Sequence, residues 1–498
     1  MEFIYLASFL GFCQMGEQLR RRVVIVGGGI TGLAAAWQIL EECCREPVEL
    51  VLLESSDRFG GVIQTIHRDG FLIEAGPDSF ITDKTGAMDL CQQISLGDQL
   101  QATRSTCRRA LVVRNHKLIP VPAGFVLMGP TRLRSILSSP LFSLRGKLRI
   151  AAEPFIRAKS DGQDESVGSF VVRRFGHEML DRLVQPLVGG IYTADTDVLS
   201  LGSTFPRFLE MEARHGSVTR GLAKSGRRRS TSGQSGARYS LFMALHGGME
   251  TLVTQIVGQI PRQSLRLGCR VQAIHPRPVP AGRSCAWSVA YNRDQKIDAD
   301  AVVVCGPSHL AAQLVEPFDH GLAGELVKIR YASSVVVNLG YRCDNISHPL
   351  DAFGFVVPRK ENMGILAGSF SSVKFEGRAP RGHVLLRVFL GGVLQVGLLE
   401  LDDSRLAALA HKDVAGLLGI SGPPLFSMVH RYDQAMPQYR VDHRKAVAEI
   451  SRRAETHTGL EIVGNGFEGV GLPDCIRQGQ LAARRVMACL ATSKPPAI

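Results

Sequence analysis

A chain of 498 residues is too long for one hydrophobic core and implies roughly two to four sub-structures. Hydrophobic residues at 45% and charged residues at 21% place it with globular proteins and exclude disordered and fibrous classes. The net charge of +12 suits an anionic membrane surface, an acidic small molecule or a merely basic exterior, but no aromatic-plus-basic ribbon for nucleic acid is present.

In chain order, Met1 to Cys13 is apolar but short, carries Glu2 and lacks a basic leader, so it reads as an extension ahead of the first strand. Order begins at Arg21, and Val23 to Val26 is a continuous apolar run, expected of a strand buried on both faces. Gly27-Gly28-Gly29 breaks it. A helix follows with Ile30, Leu33, Ala34, Trp37 and Leu40 on one stripe. Pro47 opens a second buried strand, Val48 to Leu53, which ends at Glu54. The unit is βαβ with a glycine-rich first turn.

Phe125 to Tyr192 reads as mostly helical. Lys224 to Arg238, rich in Ser, Gly and Arg, reads as a mobile loop. Ala299 to Cys305 is another buried strand, stopped by Gly306-Pro307, and Val335 to Val396 is strand-rich. Near the end, Glu461-Ile462-Val463 runs into Gly464-Asn465-Gly466. A helix after Pro473 then carries Ala483, Val486, Met487 and Leu490 on its stripe. A nucleotide fold assembled from the beginning, middle and end of a chain has other domains inserted between its pieces. No apolar run reaches the ~18 residues of a spanning helix. Eleven Cys without Cys-x-x-Cys spacing argue against a disulfide framework or a zinc site and fit a reducing compartment.

Gly27, Gly29 and Gly32 satisfy Gly-x-Gly-x-x-Gly in the context that the motif requires: after a strand, opening a helix, and ahead of the acidic Glu54. Gly27 makes the tight turn, Gly29 lets backbone reach a pyrophosphate, and Gly32 lets helix and strand pack closely. Helix amides and dipole offset the phosphate charge. Glu54 is suited to accept ribose hydroxyls, which favours an unphosphorylated ribose over NADP. Arg58-Phe59-Gly60-Gly61 follows at once, with Arg58 a candidate phosphate contact and the glycines making room. Gly464 to Asp474 leads into a helix that Pro473 starts and Asp474 caps. Its N-terminus would stabilise negative charge on a flavin ring.

Six blocks are more specific: Glu74 to Phe80, Pro186 to Tyr192, Thr204 to Phe208, Phe353 to Pro358, Met436 to Tyr439, and Gly469 to Asp474. With the nucleotide fingerprint they make the chain, from Arg21 to the C-terminus, resemble the protoporphyrinogen oxidase family. That family includes coproporphyrinogen III oxidases and lies within the flavin amine oxidase group. The resemblance implies an α/β protein in which a two-dinucleotide-fold FAD domain (21–100, 241–310, 441–498) interleaves with a strand-rich substrate domain (101–124, 196–240, 311–440). A helical domain (125–195), used by some relatives to sit on membrane, completes it. The implied reaction is oxygen-dependent removal of six electrons from a porphyrinogen in three flavin cycles, with one non-covalent FAD and peroxide as by-product.

By position the resemblance assigns Gly27, Gly29, Ile30, Thr31, Gly32, Glu54, Arg58, Gly60, Gly61, Gly76, Pro77, Asp78, Val271, Gly464, Asn465, Val470, Gly471 and Leu472 to the cofactor. Phe353, Gly354 and Val356 would pack against the tetrapyrrole, and Arg109 would meet a propionate, with Arg108 leaving that register open by one residue. No His/Asp/Glu cluster resembles an acid–base dyad, so catalysis would rest on positioning. Partners are then a tetrapyrrole and molecular oxygen but no nucleic acid. A peripheral contact with the inner face of the membrane, a haem-pathway enzyme partner, the oligomeric state and the choice of porphyrinogen stay open in a cytoplasmic protein. The rival readings are an amine oxidase or desaturase of the same group, or an FAD-binding scaffold without catalysis.

Overall fold

The first apolar run forms strand Arg21–Val26 at the centre of a five-stranded, all-parallel sheet. The computed structural model describes residues 21–43, 48–107, 109–159, 162–230, 242–279 and 286–492; Met1 to Cys13, Pro47 and Arg108 lie outside them. Val48–Leu53 and Ala301–Cys305 flank the central strand, and Leu265–Arg266 and Leu460–Val463 complete the sheet. Successive side chains of these strands serve two different cores. Val23, Ile25, Leu50, Leu52, Ala301 and Val303 pack under helices Ile30–Cys43 and Leu472–Thr492. Val24, Val51, Val302 and Val304 pack beneath a three-stranded antiparallel sheet and helices Ser308–Val315 and His320–Leu326. Burial on both faces is why the runs are continuous rather than alternating. The two helices over the first face touch at Gly479, where a Cβ would fall 2.2 Å from the Thr31 carbonyl oxygen.

A seven-stranded sheet runs in the order Phe426–Gln438, Arg330–Arg342, His383–Gly391, Ala367–Phe370, Gly354–Val356, Ala110–Arg114, Lys117–Pro120. Helix Asp403–Leu418 covers its outer face with Leu406, Ala410, Val414 and Leu418, spaced four apart. The inner face looks toward the nucleotide fold and a layer of helices.

That layer differs from expectation at both ends. It opens with a short strand pair, Phe125–Val126 with Gly129–Pro130. Helices then continue well past Tyr192, through Leu201–Thr204, Pro206–His215 and Val218–Ser230. The Lys224-to-Arg238 stretch is therefore helical as far as Ser230, and residues 231–241 lie outside the described set. The cause is local: Ser217 Oγ accepts the amide of Arg220, while Val218 and Leu222 sink into the layer's core. A helix started so firmly runs on through residues whose composition suggested a loop. At its centre lies Arg174, fully buried, bonded through Nε to Glu153 Oε1 at 2.8 Å and through Nη1 to Glu212 Oε1 at 3.1 Å. Glu153 also accepts from Ser217 Oγ and the amide of Val218.

Among the described residues no helix is long and apolar enough to cross a membrane, and Cys91, Cys269, Cys305, Cys343 and Cys475 are free thiols.

Candidate active site

The three glycines of the first turn have three different surroundings. At Gly27, φ is +104° and a Cβ would lie 2.2 Å from the Cys305 carbonyl oxygen. At Gly32 a Cβ would lie 1.9 Å from the Gly27 carbonyl oxygen. At Gly29 it would meet nothing within 4 Å. Backbone crowding thus explains two of them, and the third opens onto space at the start of helix Ile30–Cys43. Amides in the first turn there, through Ile30, Thr31 and Gly32, have no acceptor within the helix and suit a phosphate. The turn fits a dinucleotide.

Glu54 closes the turn from the next strand, accepting the Gly28 amide at 2.7 Å and the Ser56 amide at 2.8 Å. Its Oε1 also takes the Ser55 and Ser56 hydroxyls, whereas Oε2, among the described residues, accepts only the Gly28 amide and keeps a lone pair for a ribose hydroxyl. Val271 begins a strand two residues after Cys269, whose amide donates to the Glu54 carbonyl, and so borders the same end.

Arg58 is placed differently from expectation. Its guanidinium donates to the carbonyls of Phe59, Gly61 and Ile63 rather than toward the open side of the turn. Gly60 and Gly61, with φ of +106° and +58°, fold the loop back within reach of that guanidinium. Arg58 therefore braces the second glycine loop, which rests on the first through a Gly60 amide to Gly28 carbonyl bond of 2.8 Å.

Gly76 passes so close to Val62 that a Cβ would fall 1.7 Å from its carbonyl oxygen. Beyond Pro77, Asp78 takes Lys374 Nζ at 3.1 Å and lies 4.0 Å from Arg387. Burial opposes its ionisation, but Lys374 and Arg387 outweigh burial and hold the carboxyl well below the usual range. Asp78 is an anchor for two cations, not a proton shuttle at neutral pH.

At the far end of the cofactor cradle, Gly464 crosses Gly306 at a distance that no side chain tolerates, a Cβ lying 2.7 Å from its carbonyl oxygen. Asn465 donates to the Ala435 carbonyl at 3.0 Å. Tyr439 donates its hydroxyl to the Asn465 carbonyl and accepts the Gly469 amide at 2.9 Å. Val470 packs on the helical layer and Leu472 on the nucleotide core. The Gly471 carbonyl accepts the amides of Asp474 and Cys475. Asp474 does not cap the helix: Leu472 begins it, and the carboxylate is held by Lys84 at 2.7 Å instead. Cys475, in the same turn, is a buried thiol pushed up to about 12 by burial, a poor nucleophile for covalent attachment of a flavin.

The wall opposite is the inner face of the seven-stranded sheet. Cross-strand register sets Val356, Ala367, Phe389, Val336 and His430 in one row and Gly354, Ser369, Arg387 and Asn338 in the next. Gly354 lies against Gly368, where a Cβ would come within 2.1 Å of its carbonyl oxygen. Phe353, buried, donates its amide to the Arg109 carbonyl at 2.9 Å. Arg109 is 47% exposed and ion-paired with Asp351, whose carbonyl also accepts Arg109 Nε at 2.8 Å. So Phe353 leads into the strand that carries Gly354 and Val356, and Arg109 stands at the start of the strand paired with it.

Sequence reading missed several groups here. Arg387 is buried, its guanidinium 5.0 Å above the Phe389 ring and bonded to the Gly76 carbonyl, with Nε unpartnered. Asn338 Oδ1 and His430 Nε2 are likewise buried without partners on this face. Burial, then Arg387, lowers the His430 pKa and keeps the ring neutral. A lone Arg inside the apolar run of strand His383–Gly391 is a signal that could have flagged the first of these. The two tryptophans stand apart, Trp37 bonded to Gln259 and Trp287 packed on Phe318.

The model of the flavin containing amine oxidoreductase family matches residues 30–487. Coproporphyrinogen III oxidase of Bacillus subtilis (strain 168) is 34% identical over 475 residues, covering 95% of this chain and 99% of that protein. The enzyme of the same name from Staphylococcus aureus is 30% identical, covering 94% and 100%. Chloroplastic protoporphyrinogen oxidase 1 of Arabidopsis thaliana is 29% identical, covering 93% and 87%. Among solved structures, reduced UDP-galactopyranose mutase shares the fold alone, at 16% identity with a TM-score of 0.68 over 94% of this chain and 96% of that one.

Proposed function

The chain belongs to the family of flavin containing amine oxidoreductases, and from that premise we propose that it oxidises coproporphyrinogen III to the porphyrin with one non-covalent FAD. The observation that carries the reading is an open dinucleotide turn at Gly29 set in one fold with a sheet face that offers an apolar row, Val356 to Val336, and a cation at its edge. Relatives at 30–34% identity over nearly the whole chain are named for that tetracarboxylate substrate, which favours it over protoporphyrinogen IX. FAD, when bound, supplies the hydride acceptor, and molecular oxygen is the proposed final acceptor.

The protein's own contribution is positioning. Glu54 and the amides of the first helix hold the dinucleotide, Arg58 keeps the second glycine loop in shape, and the Val356 row offers the ring an apolar floor. Asp78 holds Lys374 and Arg387 in place, so a fixed positive field borders the site. Pyrrole protons leave to water or to neutral His430.

Arg109 binds a carboxylate at the edge of this floor. Arg109→Ala should raise KM for coproporphyrinogen III with kcat little changed, because a rim contact is nearly equal in ground and transition states. The side chain is half-exposed and already paired with Asp351, so the loss is about 1–2 kcal/mol, or about 5- to 30-fold in kcat/KM. Steady-state kinetics decide: a collapse of kcat at constant KM would instead move Arg109 to the reacting carbon.

We also propose a peripheral membrane contact through the helical layer. Leu144, Leu148 and Phe155 are 75%, 62% and 85% exposed, and Arg132, Arg134, Arg145 and Arg157 stand exposed around them. The one acidic residue of residues 132–159, Glu153, is buried. An apolar patch ringed by cations suits an anionic lipid surface. The protein should co-sediment with phosphatidylglycerol vesicles and not with phosphatidylcholine ones, and Leu148→Glu with Phe155→Glu should abolish it. Equal recovery with both lipids would contradict this contact.

A further inference from the structure

A cavity of about 510 Å³ lies beyond the far end of the strand that Arg109 borders. Its walls come from one face of helix Gln185–Tyr192, the turn from Val357 to Leu366, and the segment from Gly391 to Leu398. Gly190 joins it to the floor already described: a Cβ there would touch Ala367 at 3.7 Å and Val356 at 3.8 Å. The lining is largely apolar, with Pro186, Val357, Ile365, Leu366 and Leu394, and few polar groups converge on it. Size and lining are those of a small-molecule site rather than a packing defect.

Two polar groups give the cavity a chemistry. Arg359 is exposed on its wall, and no carboxylate pairs with it among the described residues. Gln395 donates Nε2 to the Met363 carbonyl at 3.0 Å, which fixes the amide and leaves Oε1 buried without a donor. A buried acceptor without a partner bears its desolvation cost uncompensated, and a ligand N–H would relieve it. Cation and orphan acceptor together call for a ligand with a carboxylate at its edge and an N–H within an apolar body.

Geometry ties this to Arg109. Phe353 bonds to the Arg109 backbone, and Arg359 follows six residues later, so the two arginines bracket Gly354–Val356 across at most about 20 Å. We infer that the cavity seats the second carboxylate-bearing edge of the tetrapyrrole, with Arg359 binding a propionate and Gln395 Oε1 accepting a pyrrole N–H, so that a ring with four propionates is gripped at both ends. This rests on the porphyrinogen reading and adds to it the residues that select the tetracarboxylate over the dicarboxylate.

The test uses FAD-loaded full-length protein, coproporphyrinogen III and protoporphyrinogen IX as substrates, and coproporphyrin III as a fluorescent ligand. Arg359→Glu should raise KM for coproporphyrinogen III about tenfold or more. It should lower the ratio of kcat/KM for coproporphyrinogen III over protoporphyrinogen IX at least fivefold, with Arg359→Lys restoring part of the ratio. Gln395→Leu should weaken both substrates alike, since both carry pyrrole N–H groups. An unchanged ratio in a folded, yellow Arg359→Glu protein would overturn the inference. If the wild type oxidises neither porphyrinogen, the functional reading fails, yet binding still decides the cavity. Weaker coproporphyrin III affinity in Arg359→Glu would sustain it, and equal affinity would remove it.

Discussion

Gly29→Val protein is expected to purify folded but colourless, whereas the wild type is yellow and releases FAD, not FMN, on denaturation. The fold tolerates the change because a Cβ at Gly29 meets nothing within 4 Å, unlike at Gly27 or Gly32, where it strikes a carbonyl oxygen. The same open space is where the pyrophosphate must approach the backbone, so a branched side chain excludes the ligand without disturbing the apoprotein. Loss of flavin with an unchanged unfolding transition of the apo form is therefore the diagnostic pairing. Flavin absorbance after reconstitution, read beside that transition, measures both. Affinity within a few-fold of wild type would show that the pyrophosphate lies elsewhere.

The second large effect is on stability. Arg174→Met should destabilise the protein by about 3–5 kcal/mol, because among the described residues it strips the only cation from the buried carboxylate of Glu153 and leaves Glu212 to Arg173 alone. Burial alone would raise the Glu153 carboxyl, but Ser217, Arg174 and Thr219 together hold it below its ordinary value. A carboxyl with a depressed folded-state pKa contributes stability that is present above its unfolded pKa and lost as pH falls. The gap between the two proteins should accordingly be widest near neutrality and shrink through the carboxylate range. Denaturant titrations at several pH values measure it, and a constant gap would mean that the methionine costs packing alone.

The nucleotide half of the molecule was legible in the sequence because its signals are local. A continuous apolar run, glycines at fixed offsets and an acidic strand end are set by neighbours a few residues away. At Gly464 to Gly471 the glycine run was itself legible, although the crossing that demands Gly464 comes from Gly306, far away in sequence. The placement of Arg58 was not legible, for a reason of the same scale: a guanidinium next to a glycine loop bonds that loop's carbonyls. The sheet wall was half-legible. Phe353, Gly354 and Val356 are contiguous, but Arg387, Asn338 and His430 meet them only through cross-strand register over a sheet spanning most of the chain. Nothing in the sequence states that register. Helix Val218–Ser230 was missed because composition outweighed Ser217, which takes the Arg220 amide, and because Glu153, which takes the amides of Val218 and Thr219, is distant in sequence.

The central claim is tested most directly by supplying coproporphyrinogen III to the purified, FAD-loaded protein in aerated buffer and following porphyrin fluorescence with oxygen uptake. Fluorescence rising well above the spontaneous rate, with peroxide formed as oxygen is consumed and a smaller kcat/KM for protoporphyrinogen IX, is the predicted result. Protein that holds FAD yet leaves both porphyrinogens oxidising only at the spontaneous rate would contradict it.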